Sequence, residues 1–171
     1  MIETQRLYLR EMTDEDFDAL YAVLADSDVT AHYPYTFDEK RVWGWIQKNK
    51  ERYRIFGFGL FAVVLKQTGE MIGDCGITIQ NINGVLKPEI GYHIRKDCRR
   101  KGYAREAAAA CVNFAFTKTP FRELYSYMHK TNAASAATAR TNGFLLTEEY
   151  EDNGYATQVY CLTRVRWQER K

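Results

Sequence analysis

No stretch of this 171-residue chain stays apolar for the roughly 20 residues that a membrane helix needs; Phe56 to Leu65, the longest candidate, has the length of a buried strand. A membrane partner is therefore not expected. The opening Met1-Ile2-Glu3-Thr4-Gln5-Arg6 is followed by no apolar signal core, so the expected location is cytoplasmic. Prolines number three, and no repeat, linker or low-complexity tract divides the chain. With 46% hydrophobic and 27% charged residues, one domain over residues 1–171 with one well-filled core is expected.

Cysteine and histidine are sparse and scattered. Cys75, Cys98, Cys111 and Cys161 form no C-x-x-C pair, and His32, His93 and His129 are equally dispersed, so no metal site is expected. Cys98 lies among basic residues that can lower a thiol pKa, but no nearby His marks it as a nucleophile, and it reads as a free thiol. Charge of one sign is also lacking: 24 Lys and Arg against 22 Asp and Glu leave +2, too little for a surface that binds polyanions. Nucleic acid is not an expected partner, and any anion site must be local.

The residues that are present read as a mixed α+β chain around one central sheet. Thr13-Asp14-Glu15-Asp16 places a capping hydroxyl before an acid, and Phe17, Leu20, Tyr21 and Leu24 follow at helical spacing, predicting a helix over about 13–25. A second helix is predicted from Asp38 toward Arg54, ahead of Gly57 and Gly59. Phe58 to Leu65 and Met71 to Gln80 read as a hairpin turning at Thr68-Gly69, and Asn83-Gly84 marks the next turn. From Glu89 to Ile94 the pattern alternates, with Ile90, Tyr92 and Ile94 on one face and Glu89, Gly91 and His93 on the other; Pro88 is expected at that strand's start. A helix from Gly102 to about Thr117, a strand over 122–128, a small-residue helix over 133–141 and two strands around Asp152-Asn153-Gly154 complete the order.

The stretch from Glu89 to Glu106 is a strand that runs through a basic turn into a helix. A helix start leaves up to four N–H groups unpaired at the positive end of its dipole, so the amides around Gly102 to Arg105 can hold a phosphate. Gly102 permits close approach, and Arg99, Arg100, Lys101 and Arg105 concentrate positive charge there. A solvated basic loop capping the helix is the alternative. No Gly-Lys-Ser/Thr follows the glycine, which excludes a P-loop nucleotide site.

Arg99-Arg100-Lys101-Gly102-Tyr103-Ala104 resembles the Gln/Arg-x-x-Gly-x-Gly/Ala signature of the GNAT N-acetyltransferase family. Asn132-Ala133-Ala134-Ser135 with Gly143-Phe144 resembles the family's second motif, and Thr4-Gln5-Arg6-Leu7-x-Leu9-Arg10 resembles the branch that acetylates ribosomal-protein N-termini. The resemblance implies a mostly antiparallel central sheet with one splayed strand pair and helices on both faces. It also implies acetyl-CoA as acyl donor: backbone near Ile94 and Arg95 along the pantetheine arm, Arg99, Arg100, Lys101, Gly102, Tyr103, Ala104 and Arg105 around the diphosphate, and Asn132 against the cofactor.

Acetyl transfer to a primary amine by direct attack in a ternary complex needs a base, a polarised carbonyl and a proton for the leaving thiolate. Glu89 is the expected base because Gly91, on the same strand face, leaves room beside it for an amine; Glu148, Glu149 and Glu151 are rivals, and an exposed strand-end acid or the partner of a nearby Arg is the alternative. Where relatives carry a Tyr four residues before Gly-Phe, this chain has Ala139, so Ser135 is the expected donor to sulfur, a packing serine being the alternative. A backbone N–H near Ile94 or Arg95 would steady the developing oxyanion. Tyr33 and Trp43, among Tyr33, Tyr35, Trp43 and Trp45 between the first helices, are named for the acceptor wall, and His93 for a proton relay or for packing. A non-catalytic acyl-CoA sensor and a nucleic-acid-binding domain are the rival functions. The acceptor, a protein N-terminus or a small amine, and the choice between monomer and homodimer stay open.

Overall fold

Thr13 opens the first helical segment: its N–H donates to Asp16 Oδ2 at 2.8 Å, while Arg10 grips the same carboxylate at 2.7 and 2.8 Å. The computed structural model describes residues 1–171. A 3-10 turn, Asp14–Asp16, leads into α1 (Phe17–Leu24), followed by α2 (Ser27–Thr30) and α3 (Glu39–Phe56). Asp38 caps α3 by accepting from Arg41 N–H at 2.8 Å, and Gly57 ends it in the left-handed region at φ 73°.

Two short strands that alternation did not announce, β1 (Ile2–Glu3) and β2 (Leu7–Arg10), precede these helices; β3 (Leu60–Leu65), β4 (Met71–Ile82) and β5 (Val85–Ile94) follow. After a 3-10 turn at Lys96–Cys98 come α4 (Tyr103–Lys118), β6 (Glu123–His129), α5 (Ala133–Thr141), β7 (Leu145–Asp152), β8 (Tyr155–Thr163) and an unforeseen α6 (Arg164–Glu169). The eight strands form one sheet in the order β1-β2-β3-β4-β5-β6-β8-β7, antiparallel except for β5 beside β6. Helices α1 and α4 pack against β4 and β5, and a single cluster of buried hydrophobic residues runs through the sheet.

Pro88 corrects one expectation. The strand begins at Val85, and Pro88 lies inside it, opposite Ile79. Arg95 N–H donates to Ile72 O at 2.7 Å, so by antiparallel alternation the odd residues of β5 bond to β4 and the even ones turn their backbone groups toward β6. The proline nitrogen therefore faces away from β4 and breaks no bond of that ladder.

Asn49 ties α3 to the sheet. It is fully buried; its Oδ1 accepts from Leu60 N–H at 2.9 Å and Arg52 Nη1 at 3.1 Å, and its Nδ2 donates to Trp45 O at 3.0 Å. Asn49→Ala strands the Leu60 amide in the interior and is expected to cost about 2–3 kcal/mol. Urea denaturation should show a lower midpoint at unchanged slope.

Candidate active site

Strands β5 and β6 pair at Glu89 and Tyr125 and at no other position, so they diverge toward the C-terminal end of β5. Beyond that bridge the N–H and C=O of Tyr92 and the N–H of Ile94 face the gap without a strand partner. The Ile94 carbonyl is occupied, accepting Arg99 Nε at 2.9 Å. Arg95 is placed differently from the expectation: its N–H is spent on β4, and its guanidinium pairs with Asp97 at 2.7 Å.

Past the gap the chain enters the basic turn, where the backbone N–H groups of residues 100 to 105 donate to nothing in the protein; the first helical bond of α4 is Glu106 N–H to Gly102 O at 3.0 Å. Gly102, at φ 81°, is the N-cap, and no side chain accepts a hydrogen bond from that helix start. Six consecutive free amides beside a positive dipole end can take an anion. Arg100, Lys101 and Arg105 are exposed and paired to no carboxylate. Arg99 is not in that position, since its guanidinium bonds Asp28 at 2.9 Å and so ties α2 to the end of β5. Arg6 braces the turn from outside, donating to Lys101 O at 2.9 Å and to Glu106 at 2.6 Å while lying over the Tyr103 ring. A groove of about 710 Å³ opens along this side of the turn, past Arg6, Lys101, Gly102, Arg105 and Asn142. Cys98 is buried there, and burial raises its thiol pKa, so the neighbouring basic residues do not activate it.

On the opposite face of β5 the alternation holds as read. The Glu89 carboxylate lies over Gly91: a Cβ added at Gly91 would meet Oε2 at 3.1 Å and Oε1 at 3.3 Å. The glycine thus gives its space to the carboxyl group itself. Burial pushes Glu89 up to about 7, against Thr78 Oγ1, which donates to Oε2 at 2.9 Å, and against the charges of His93 and Arg52. Glu148, in contrast, bonds Asn83 and lies 3.7 Å from Lys87, and Glu149 bonds Lys130 and Gln158 at the surface.

Four pairs along the β4–β5 ladder from Glu89, three hydrogen bonds of 2.8 Å form a chain: Tyr33 hydroxyl to His93 Nε2, His93 Nδ1 to Asp74 Oδ1, and Trp45 Nε1 to Asp74 Oδ2. Asp74 is wholly buried, and strand pairing sets it directly opposite His93. Burial lowers the affinity of His93 for a proton, but the Asp74 carboxylate outweighs it and lifts the histidine above its usual value. Burial also pushes the Tyr33 phenol well above its ordinary range. Trp43, named from the sequence, does not join this cluster; it stacks on Phe17 at 4.4 Å. Two residues along a helix turn a side chain through about 200°, so Trp45 takes the inward position and Trp43 the outward one.

On the gap side, Asn132 caps α5, its Oδ1 accepting from Ser135 N–H at 3.2 Å, which leaves its Nδ2 without a partner. Tyr92, placed by the strand alternation on one face with Ile90 and Ile94 and assigned no role, sends its hydroxyl to Ser135 O at 3.2 Å. Its even position on a strand that loses its neighbour was the signal available.

Residues 6–145 match the family model of the acetyltransferase (GNAT) domain. The Bacillus subtilis protein YkkB is 33% identical over 82% of this chain and 82% of its own. The Bacillus licheniformis N-acetyltransferase p20 is 28% identical over 95% and 94% of the two chains. RimL, the ribosomal L7/L12 α-N-protein acetyltransferase solved with coenzyme A, superimposes with a TM-score of 0.76 at 20% identity, covering 94% of this chain and 95% of its own. With a family model spanning most of its length, and a splayed strand pair leading to an uncapped helix start, the chain belongs to the GNAT family and is an acetyl-CoA-dependent N-acetyltransferase.

Proposed function

We propose that the protein acetylates a primary amine by direct attack, with Glu89 as base and the amides of residues 100–105 holding the donor's diphosphate. The single observation that carries this reading is the row of free amides just past the diverging end of β5, with a carboxyl group poised near neutrality on one face of the same strand. Acetyl-CoA supplies an activated acetyl group and a thiolate leaving group. Glu89 takes the proton that the amine nitrogen sheds as it bonds to the carbonyl carbon. Of the two amides expected to steady the carbonyl oxygen, Ile94 N–H is free and Arg95 N–H is committed to Ile72. The electrons of the broken C–S bond leave on sulfur, which then needs a proton.

We assign that proton to Tyr92 in place of Ser135: its hydroxyl stands at the first turn of α5, 3.2 Å from Ser135 O, and burial, which pushes it up to about 12, keeps it protonated at neutral pH. Tyr92→Phe is expected to lower kcat about tenfold with little change in KM, and Ser135→Ala less than about threefold. Steady-state kinetics with both variants checks the assignment, and the reverse ranking would return the role to Ser135.

The reading as a whole is tested by incubating the protein and acetyl-CoA with a panel of amines and peptide N-termini and following free thiol. Release that depends on the amine supports transfer. Tight acetyl-CoA binding with no release for any amine would favour a sensor of acyl-CoA.

A further inference from the structure

Beside Glu89 lies a second cavity, of about 230 Å³, lined by Arg52, Phe56, Phe58, Thr78 and Ile79. Thr78 belongs to both places, since its hydroxyl holds the Glu89 carboxylate. The aromatic rings of Phe56 and Phe58 stack at 5.7 Å, and with Ile79 they make the wall apolar. Arg52 and Phe56 are four residues apart on α3 and so share a helix face.

The arginine has an unusual situation. Its Nη1 donates to Asn49 Oδ1 at 3.1 Å, which fixes the guanidinium, while Nε and Nη2 donate to nothing in the protein. No carboxylate lies within ion-pair distance, whereas Arg10 and Arg99, also partly buried, are matched by Asp16 and Asp28. It is not simply the counter-charge of Glu89, whose oxygens face Thr78 and Gly91 instead. The two charges are nevertheless near enough to favour each other's ionised forms.

A guanidinium on the cavity wall, an apolar lining, and the Glu89 carboxylate held just behind Thr78 are complementary to a molecule that carries a carboxylate, an amine and an apolar group on one carbon. We propose that the acceptor is a free amino acid with an apolar side chain: Arg52 binds its carboxylate, Glu89 receives its amine, and Phe56, Phe58 and Ile79 take the side chain. The inference rests on the acetyl-transfer reading for its chemistry. A carboxylate can take two N–H donors of the fixed fork, and a substrate that lacks it leaves a partly desolvated cation unpaired. A peptide N-terminus presents a neutral amide at that place.

L-phenylalanine, L-leucine and L-methionine are compared with their carboxamides at saturating acetyl-CoA. The wild type is expected to favour the acids about 10- to 100-fold in kcat/KM. In Arg52→Met that ratio should fall below about threefold, and Arg52→Lys should restore part of it because one charge returns without the fork. Equal kcat/KM for acid and amide, a preference that survives in Arg52→Met, or a peptide N-terminus preferred to every free amino acid overturns the proposal. Calorimetric binding of N-acetyl-L-phenylalanine without acetyl-CoA separates the pocket from turnover. Binding at least tenfold tighter to wild type than to Arg52→Met supports the pocket even where no transfer is seen, in which case the acetyl-transfer reading fails alone. Equal or absent binding overturns the pocket even in an active enzyme.

Discussion

Glu89→Gln is expected to lower turnover about 10²-fold at pH 8 while acetyl-CoA affinity stays within about twofold. Glutamine keeps the oxygen that accepts from Thr78 and the volume above Gly91, so the loss falls on proton transfer alone. The wild-type rate should rise with pH through a midpoint near 7, where Glu89 ionises, and the variant should lose that limb. Stability supplies an independent check. The folded protein holds the Glu89 proton up to about 7, the unfolded chain only to its ordinary 4.5. Between those values the folded state binds more protons, so this group's contribution falls as pH rises and levels off above 7. The gap corresponds to at most roughly 3–4 kcal/mol. Glu89→Gln should therefore match wild type in thermal midpoint near pH 4 and exceed it near pH 8. A variant with full turnover and no gain in stability would move the base to Glu148, beside Lys87.

How far the sequence could be read depended on whether a feature was local. The α4 start, with Gly102 at its head, and the β5 alternation that puts Glu89 and Gly91 on one face are set by residues within a few positions, and both were legible. So were the 133–141 helix and its closing Asn142-Gly143. The Arg99 salt bridge was not, because Asp28 lies far away in sequence and arrives through the packing of α2. The exchange of Trp43 for Trp45 needed the phase of α3, which a helix with aromatics on two sides does not declare. Asp74 read as one polar residue in a strand; pairing with β5 placed it opposite His93. The short strands β1 and β2 were hidden because four residues are too few for alternation to show.

Gly102→Val is expected to abolish measurable acetyl-CoA binding, a loss of at least about 10²-fold, while far-UV circular dichroism stays that of the wild type. The reason is conformational more than steric. A Cβ at this position meets nothing nearer than the flexible Arg6 Nη2 at 3.3 Å, but the φ of 81° is closed to a β-branched residue. Holding valine there costs about 1–3 kcal/mol, and the exposed turn can relieve that strain by rotating its peptides. Rotation would disperse the free amides of residues 100–105, which on the proposed reading hold the diphosphate together. The fold does not depend on those amides, since nothing in the protein accepts from them. Gly102→Asn isolates the cause. Asparagine enters the left-handed region readily, and this chain already places Asn83 and Asn153 there at φ 49° and 50°. That variant should keep acetyl-CoA affinity within about tenfold despite its added side chain. Titration calorimetry of both variants decides the matter: equal, strong binding by Gly102→Val would show that the diphosphate is held elsewhere, by Arg100, Lys101 and Arg105 acting as charges rather than by the backbone.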